Sequence, residues 1–231
     1  ADRIDSDHDL YIGRPNTWGQ RSSNYLIQQA DLVIAAGTRL GLQQTGFNWR
    51  EFVPHGEVVH IDIDKAELEK GHPEVSATIC ADAASTLKLL LQDQNLVPDW
   101  SSWRNHARSV RENLPLSEIE NGTHPENLNP FDFALTLSGI CNSSDTIIPC
   151  SSGGAFTVMM QAFNQKHGQV LITNKGLASM GYGLAGAIGA AVAGSSRRTV
   201  LVEGDGGFSQ NLQELATVAV QKLNLKIFIF A

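Results

Sequence analysis

The chain has 231 residues, 42% of them hydrophobic and 18% charged, the make-up of a globular protein with room for two modest domains. Its net charge of −7, with no stripe of Lys and Arg, excludes a general nucleic-acid binder. Cys80, Cys141 and Cys150 are too scattered for a zinc site or a disulfide framework, and they suit a reduced, cytoplasmic setting.

In chain order, a helical pattern from Asn24 leads into "DLVIAAG" (31–37), a continuous apolar run of the kind found in strands covered on both faces. A second such run, "EVVHIDID" (57–64), precedes "DAASTLKLLLQ" (82–92), an amphipathic helix with Leu87, Leu90 and Leu91 on one face and Asp82 at its start. These form one α/β unit over residues 1–93. From 94 to 130 the texture changes. Pro98, Pro115, Pro125 and Pro130 punctuate a polar linker that holds one helix, "SSWRNHARSVREN" (101–113). From 131 to 231 the α/β rhythm returns: helix "FDFALTLSGIC", strand "TIIPC", helix "GGAFTVMMQAFNQ" and strand "QVLIT". After the glycine-rich "GLASMGYGLAGAIGAAVAG" come strand "TVLVEGDG", helix "SQNLQELATVAVQK" and strand "KIFIFA". The pattern predicts two three-layer α/β/α domains with mainly parallel sheets, joined by a Pro-rich linker with a helix. Such sheets bind ligands outside the carboxyl ends of their strands.

Several segments have two readings each. The GxGxxG run from Gly181 to Gly186 is a dinucleotide fingerprint or, because "NKGLASM" separates it from its strand, a helix face kept small for close approach of another backbone. The same segment, 176–194, is too poor in Leu, Ile and Phe for a membrane span. Gly37-Thr38-Arg39-Leu40-Gly41 is a phosphate-cradling turn or a plain strand exit. Asp62 and Asp64 contact a ribose or cap a helix, with capping favoured for Asp64. Ser151 and Ser152 with Gly153 and Gly154 form an anion-binding helix start or an ordinary loop. The seven histidines lack metal-ligand spacing, the pair Arg197-Arg198 reads as a solvated turn, and two glycosylation sequons begin at Asn121 and Asn142.

"LVEGDGGFSQN" (201–211) is the most informative stretch. It sets Asp205 among Gly204, Gly206 and Gly207 at the mouth of a strand. An unpaired carboxylate at the end of a buried strand calls for a hard cation, and the glycines let a large anion reach backbone N–H groups. The local chemistry fits a magnesium diphosphate; the plainer alternative is a helix cap in a glycine turn.

On these residues the chain resembles the thiamine-diphosphate-dependent enzymes. "GDG" matches the start of their signature, "GLASMGYGLAGAIGA" and "NLQELATV" are similar to the segments that flank it in the acetolactate synthase-like branch, and "QQADLVIAAGTRLG", "HIDID" and "ADA" resemble that branch's middle domain. The resemblance implies that Asp205 binds magnesium and that Gly204, Gly206 and Gly207 line the diphosphate. By the same resemblance, Met180 lies under the cofactor, and Ser152, Gly153 and Gly154 belong to a second diphosphate-contacting loop. It also implies that the signature's Asn falls just past Ala231 and that the activating Glu lies in an amino-terminal domain, so that no catalytic base is in this chain. The expected reaction joins a 2-oxo acid, pyruvate first among them, to a carbonyl acceptor, in a homodimer or homotetramer with no membrane or nucleic-acid partner. Two departures bear on substrate and cofactor. The branch's Gln-His-Gln run is replaced by Gly154-Ala155-Phe156, and "RLGLQQTG" lacks the acidic, Arg-containing run of flavin-dependent members, which argues against FAD.

Overall fold

The computed structural model describes residues 4–92, 99–118, 126–150 and 152–231; Pro98, Asn121, His124, Pro125 and Ser151 lie outside them. The chain folds as two units, Ile12–Pro115, and Ala1–Tyr11 with Leu116–Ala231.

The Ile12–Pro115 unit is built on three parallel strands, β1 (Leu32–Ala36), β2 (Glu57–Asp62) and β3 (Ala77–Cys80), in that order. The third strand was not foreseen, since "ATIC" is short and carries only one large aliphatic residue. Ala35 and Val58 sit on one sheet face and pack with Leu40, Phe52 and Val53. Around the sheet are α1 (Arg21–Gln29), α2 (Leu42–Thr45), α3 (Lys65–Glu69), α4 (Ala83–Gln92) and α5 (Ser101–Asn113). The helix expected within the linker is α5, and it belongs to this unit. It buries Ala107 and Val110 against Leu26 of α1, His106 meets Gln29 at 2.8 Å, and Arg21 of α1 donates to the Pro115 carbonyl at 2.9 Å. The apolar stripe of α4 forms as the periodicity predicts, yet Leu87, Leu90 and Leu91 all remain exposed.

The second unit carries four parallel strands, β4 (Thr146–Ile148), β5 (Val170–Leu171), β6 (Thr199–Gly204) and β7 (Leu225–Phe230), in the order β5-β4-β6-β7. Alternation along β6 divides its core. Val200 and Val202 pack under α6 (Pro130–Ile140) and α7 (Gly153–Ala162), while Leu201 packs with Leu184 and Ala187 of α8 (Tyr182–Ala193) on the other face. Local chemistry starts the helices. The Asn129 side chain accepts from Phe131 N–H at 2.9 Å with Pro130 in the first turn of α6, and Gly181, left-handed at φ 86°, precedes α8.

Two expectations are corrected here. The helix predicted over 209–222 is broken into α9 (Asp205–Ser209), a 3-10 turn (Leu212–Glu214) and α10 (Leu215–Val220). Asn211 leaves helical geometry at the break, and its side-chain amide donates to the Gly181 carbonyl at 2.7 Å. Arg198, read as half of a solvated turn, is instead paired with Asp145. Its Nε lies 3.1 Å from Asp145 Oδ1, and that carboxylate is 1% exposed. The hydrogen bonds it donates to Asp145 hold the guanidinium above its ordinary pKa. Asp145 also accepts from Asn142 N–H at 2.6 Å, so the pair pins the amino ends of β4 and β6, away from the edge where ligands bind.

Among the described residues no disulfide joins Cys80, Cys141 and Cys150. Among the described residues no helix is long and apolar enough to cross a membrane, and no group of three His, Cys, Asp or Glu residues could hold a metal ion.

Candidate functional site

The strand order β5-β4-β6-β7 creates one topological switch. The chain leaves β4 through α7 to reach β5 on one side, then crosses back through α8 to β6 on the other. Loops from β4 and β6 therefore depart in opposite directions and leave a crevice at the carboxyl ends of these paired strands. Every residue singled out for the cofactor lies on the loops around that crevice. Ser152 precedes α7, Gly153 and Gly154 open it, Met180 comes two residues before α8, and Gly204 ends β6 with Asp205, Gly206 and Gly207 following.

The β4 loop is shaped for backbone approach. Gly153 is left-handed at φ 73°, and a Cβ on Gly153 or Gly154 would meet nothing within 4 Å. The first turn of α7, a ten-residue helix, thus has open space beside its glycines at a positive helix end. Cys150, buried with φ 58°, ties the loop to itself through Sγ and the Ser152 carbonyl at 3.1 Å. Thr173 Oγ1 donates to the Cys150 carbonyl at 2.6 Å and joins the β5 loop to it. Further along that loop, Lys175 Nζ lies 4.7 Å from the centre of the Phe156 ring, and burial lowers its pKa. Phe156 is itself buried beneath.

On the β6 side, Met180 and the acidic turn meet. A Cβ on Gly206 would lie 3.2 Å from Met180 Cε, whereas one on Gly204 would meet nothing within 4 Å. Met180 is 58% exposed, an apolar post standing at the crevice. Asp205 is exposed as well, so the premise of a costly buried carboxylate at this position does not hold. The buried acid is Glu203, two residues earlier. It is 2% exposed, and its Oε2 has no hydrogen-bond partner among the described residues.

Glu203 explains two of the glycines. A Cβ on Gly183 would fall 1.5 Å from Glu203 Oε2, and one on Gly207 would fall 2.5 Å from Oε1. The small face of α8 therefore admits a side chain and not another backbone at Gly183. At Gly189 it admits nothing, because a Cβ there has open space. Glu203 and Asn211 were both missed as site residues. For Glu203 the signal was an acid at a position that alternation along β6 assigns to the α8-facing core.

In the other unit, the turn after β1 is braced from within. Gly37 is left-handed at φ 61°, and His60 Nε2 is bonded to the Thr38 carbonyl at 2.7 Å. Lys70 Nζ reaches the Arg39 carbonyl and sits 2.9 Å from Glu67, which also lies 3.8 Å from Arg39. Asp64 caps α3 through Ala66 N–H at 2.9 Å, and Asp62 accepts from Asp64 N–H at 2.9 Å, so both acids serve the turn. A pocket of about 490 Å³ beside them is lined by His60, Glu67, Lys70, His72, Glu74 and Thr78.

Comparison with known proteins bears on the same two regions. The family described as "Thiamine pyrophosphate enzyme, central domain" matches residues 1–90, and "Thiamine pyrophosphate enzyme, C-terminal TPP binding domain" matches residues 152–231. The chain is 33% identical over 233 residues to a chloroplastic acetolactate synthase of Arabidopsis thaliana, covering 96% of this chain and 33% of that protein. It is 31% identical to the acetolactate synthase isozyme 1 large subunit of Escherichia coli strain K12, over 96% of this chain and 38% of that protein. It is also 31% identical to a probable acetolactate synthase large subunit of Methanocaldococcus jannaschii, over 97% of this chain and 38% of that protein. The chain thus spans little more than a third of these relatives. Two domain matches in order, on parallel α/β units whose second crevice holds the GDG turn against Met180, lead to one assignment: the chain belongs to the thiamine pyrophosphate enzyme family and is acetolactate synthase-like.

Proposed function

We propose that the crevice between β4 and β6 holds magnesium thiamine diphosphate, and that the chain is the cofactor-bearing part of an enzyme that decarboxylates a 2-oxo acid and transfers the acyl unit to a carbonyl acceptor. The observation that carries this reading is the meeting of Met180 with Gly206 at the switch point, with Asp205 beside it. A single exposed carboxylate fits magnesium, which takes one or two protein oxygens and completes its shell with phosphate and water. Asp205 would be that ligand. Gly204, Gly206 and Gly207 on one side, and Ser152, Gly153 and Gly154 at the start of α7 on the other, would receive the diphosphate on backbone N–H groups. Met180 would support the rings.

Bound there, the cofactor supplies carbanion stabilisation. This chain's residues bind and orient it, and the base that activates it is assigned to a part of the protein outside this sequence. Pyruvate is the proposed donor, and the homodimeric or homotetrameric assembly and cytoplasmic location are proposals of the same standing. Calorimetric titration with thiamine diphosphate tests the reading. Binding should require Mg2+ and should weaken at least tenfold in Asp205→Ala. Metal-independent binding, or binding unaffected by that substitution, would overturn it.

A further inference from the structure

Glu203 is the residue that the proposed site does not yet use. It lies on the α8-facing side of β6, where its strand neighbour on that face, Leu201, is fully buried in core. Among the described residues its Oε2 is without a hydrogen-bond partner, although a carboxylate shielded from water carries a large desolvation penalty. Its seat is nevertheless built. Gly183, the second residue of α8, and Gly207, the third of α9, both lack the Cβ that would strike it. The first-turn N–H groups of α8, a twelve-residue helix, give that end a positive potential, which partly offsets the charge.

The carboxylate therefore lies between the two elements that carry the halves of the crevice's β6 side. The α8 start follows Met180 and Gly181; the α9 start is Asp205-Gly206-Gly207. We propose that Glu203 is a positioning residue for the cation and diphosphate site, a buried and only partly offset charge two residues before Asp205 that strengthens divalent-cation binding and fixes α8 against the acidic turn. The proposal rests on the reading of the crevice as a magnesium diphosphate site. In the metal-free protein two carboxylates two residues apart repel; a divalent cation at Asp205 relieves both. One buried charge near a dication, weakened by a dielectric between those of protein and water, alters its affinity on the order of tenfold.

The test uses Glu203→Gln, which keeps the shape and removes the charge, and Glu203→Asp, which keeps the charge on a shorter stem. Thiamine diphosphate is titrated calorimetrically at a series of Mg2+ concentrations, and thermal melts are recorded in EDTA. Glu203→Gln should raise the half-saturating Mg2+ concentration about tenfold while raising the metal-free Tm by a few degrees, on the order of 2–4 °C. Glu203→Asp should lower the Tm yet keep the Mg2+ requirement within about threefold of the parent. A residue that only fills space would give the reverse, with Tm lost in both variants and the Mg2+ requirement unmoved, and that result overturns the proposal. Should Glu203→Gln fail to fold, an unchanged requirement in Glu203→Asp is not enough. Glu203→Ala, read on its folded fraction, must then show the tenfold loss or the proposal fails. If the parent protein shows no Mg2+ dependence at all, the reading of the crevice fails with it; if that dependence is present and lost in Asp205→Ala but not in Glu203→Gln, only the role of Glu203 is refuted.

Discussion

Two alanine substitutions on one helix should change stability in opposite directions. Gly183 and Gly189 both lie within α8 and neither has a positive φ, so in each case the backbone gains helix propensity, about 0.5–1 kcal/mol, from Gly→Ala. At Gly189 nothing lies within 4 Å of the added methyl, and that gain should appear undiminished. At Gly183 the methyl would come within 1.5 Å of Glu203 Oε2, and the carboxylate cannot retreat, because its other oxygen already abuts Gly207. Overpacking a closed site costs about 1–3 kcal/mol and sometimes more. With the propensity gain subtracted, Gly183→Ala should destabilise by about 1–2 kcal/mol and Gly189→Ala should stabilise by up to about 1 kcal/mol. Urea denaturation followed by circular dichroism measures both. The cause is isolated by repeating Gly183→Ala in a Glu203→Ala background, where the clash is gone and the methyl should become neutral or favourable, a coupling of about 2 kcal/mol. If Gly183→Ala is destabilising by the same amount with and without Glu203, the carboxylate is not what the glycine accommodates and the reasoning is wrong.

Three other outcomes follow from the same geometry. Gly154→Ala and Gly204→Ala add a methyl to open space in the crevice, so each should leave the denaturation midpoint nearly unchanged while weakening thiamine diphosphate in a calorimetric titration; equal losses of stability and binding would mean these glycines serve packing. Arg198→Ala leaves Asp145 buried without its guanidinium partner and should cost about 2–4 kcal/mol in urea, with a smaller loss in the double variant that also carries Asp145→Asn. Asp82 accepts from Ser85 N–H at 2.8 Å at the start of α4, and hydrogen bonds from Ser85 hold its pKa below the ordinary value. A depressed carboxylate contributes stability above its unfolded pKa and loses it as pH falls through the folded one. The cap should therefore be intact at neutral pH and fail below about pH 4, which amide exchange within α4 would detect and which Asp82→Asn should blunt.

The parallel α/β architecture was legible because its signals are long and repeated. The apolar runs "LVIAA" and "VLV" mark strands, and the helices between them carry 3.6-residue periodicity; β6 is buried on both faces as expected, whereas Leu32 and Ile34 leave one face of β1 about half exposed. The crevice was legible for a different reason, since glycine and acid at the carboxyl end of a strand have few other uses in a parallel sheet. Short-range signals were less dependable. Strand β3 is four residues with little apolar content, and the break at Asn211 depends on a hydrogen bond to Gly181, thirty residues away in sequence. Arg198 shows the same limit. Its partner, Asp145, is brought to it by the pairing of β4 with β6, a contact that no local window contains.

The acids of β6 and its turn show why composition alone misplaces cost. An acid among glycines invites the inference that it is buried and needs a cation, yet Asp205 is exposed, while Glu203, in an apolar run that hides it, is the carboxylate cut off from water. Two of the glycines also make room for that buried carboxylate. Gly183 belongs to a dinucleotide-like pattern and Gly207 to the acidic turn, but both leave room at Cβ for one side chain, whereas Gly153, Gly154 and Gly204 at the crevice are empty toward open space. A glycine-rich motif therefore divides into residues that admit a ligand and residues that admit the protein's own charge. At the crevice, Gly154 and Gly204 lack the left-handed φ of Gly153 and take a methyl without a clash, whereas at Gly183 and Gly207 a methyl would strike Glu203.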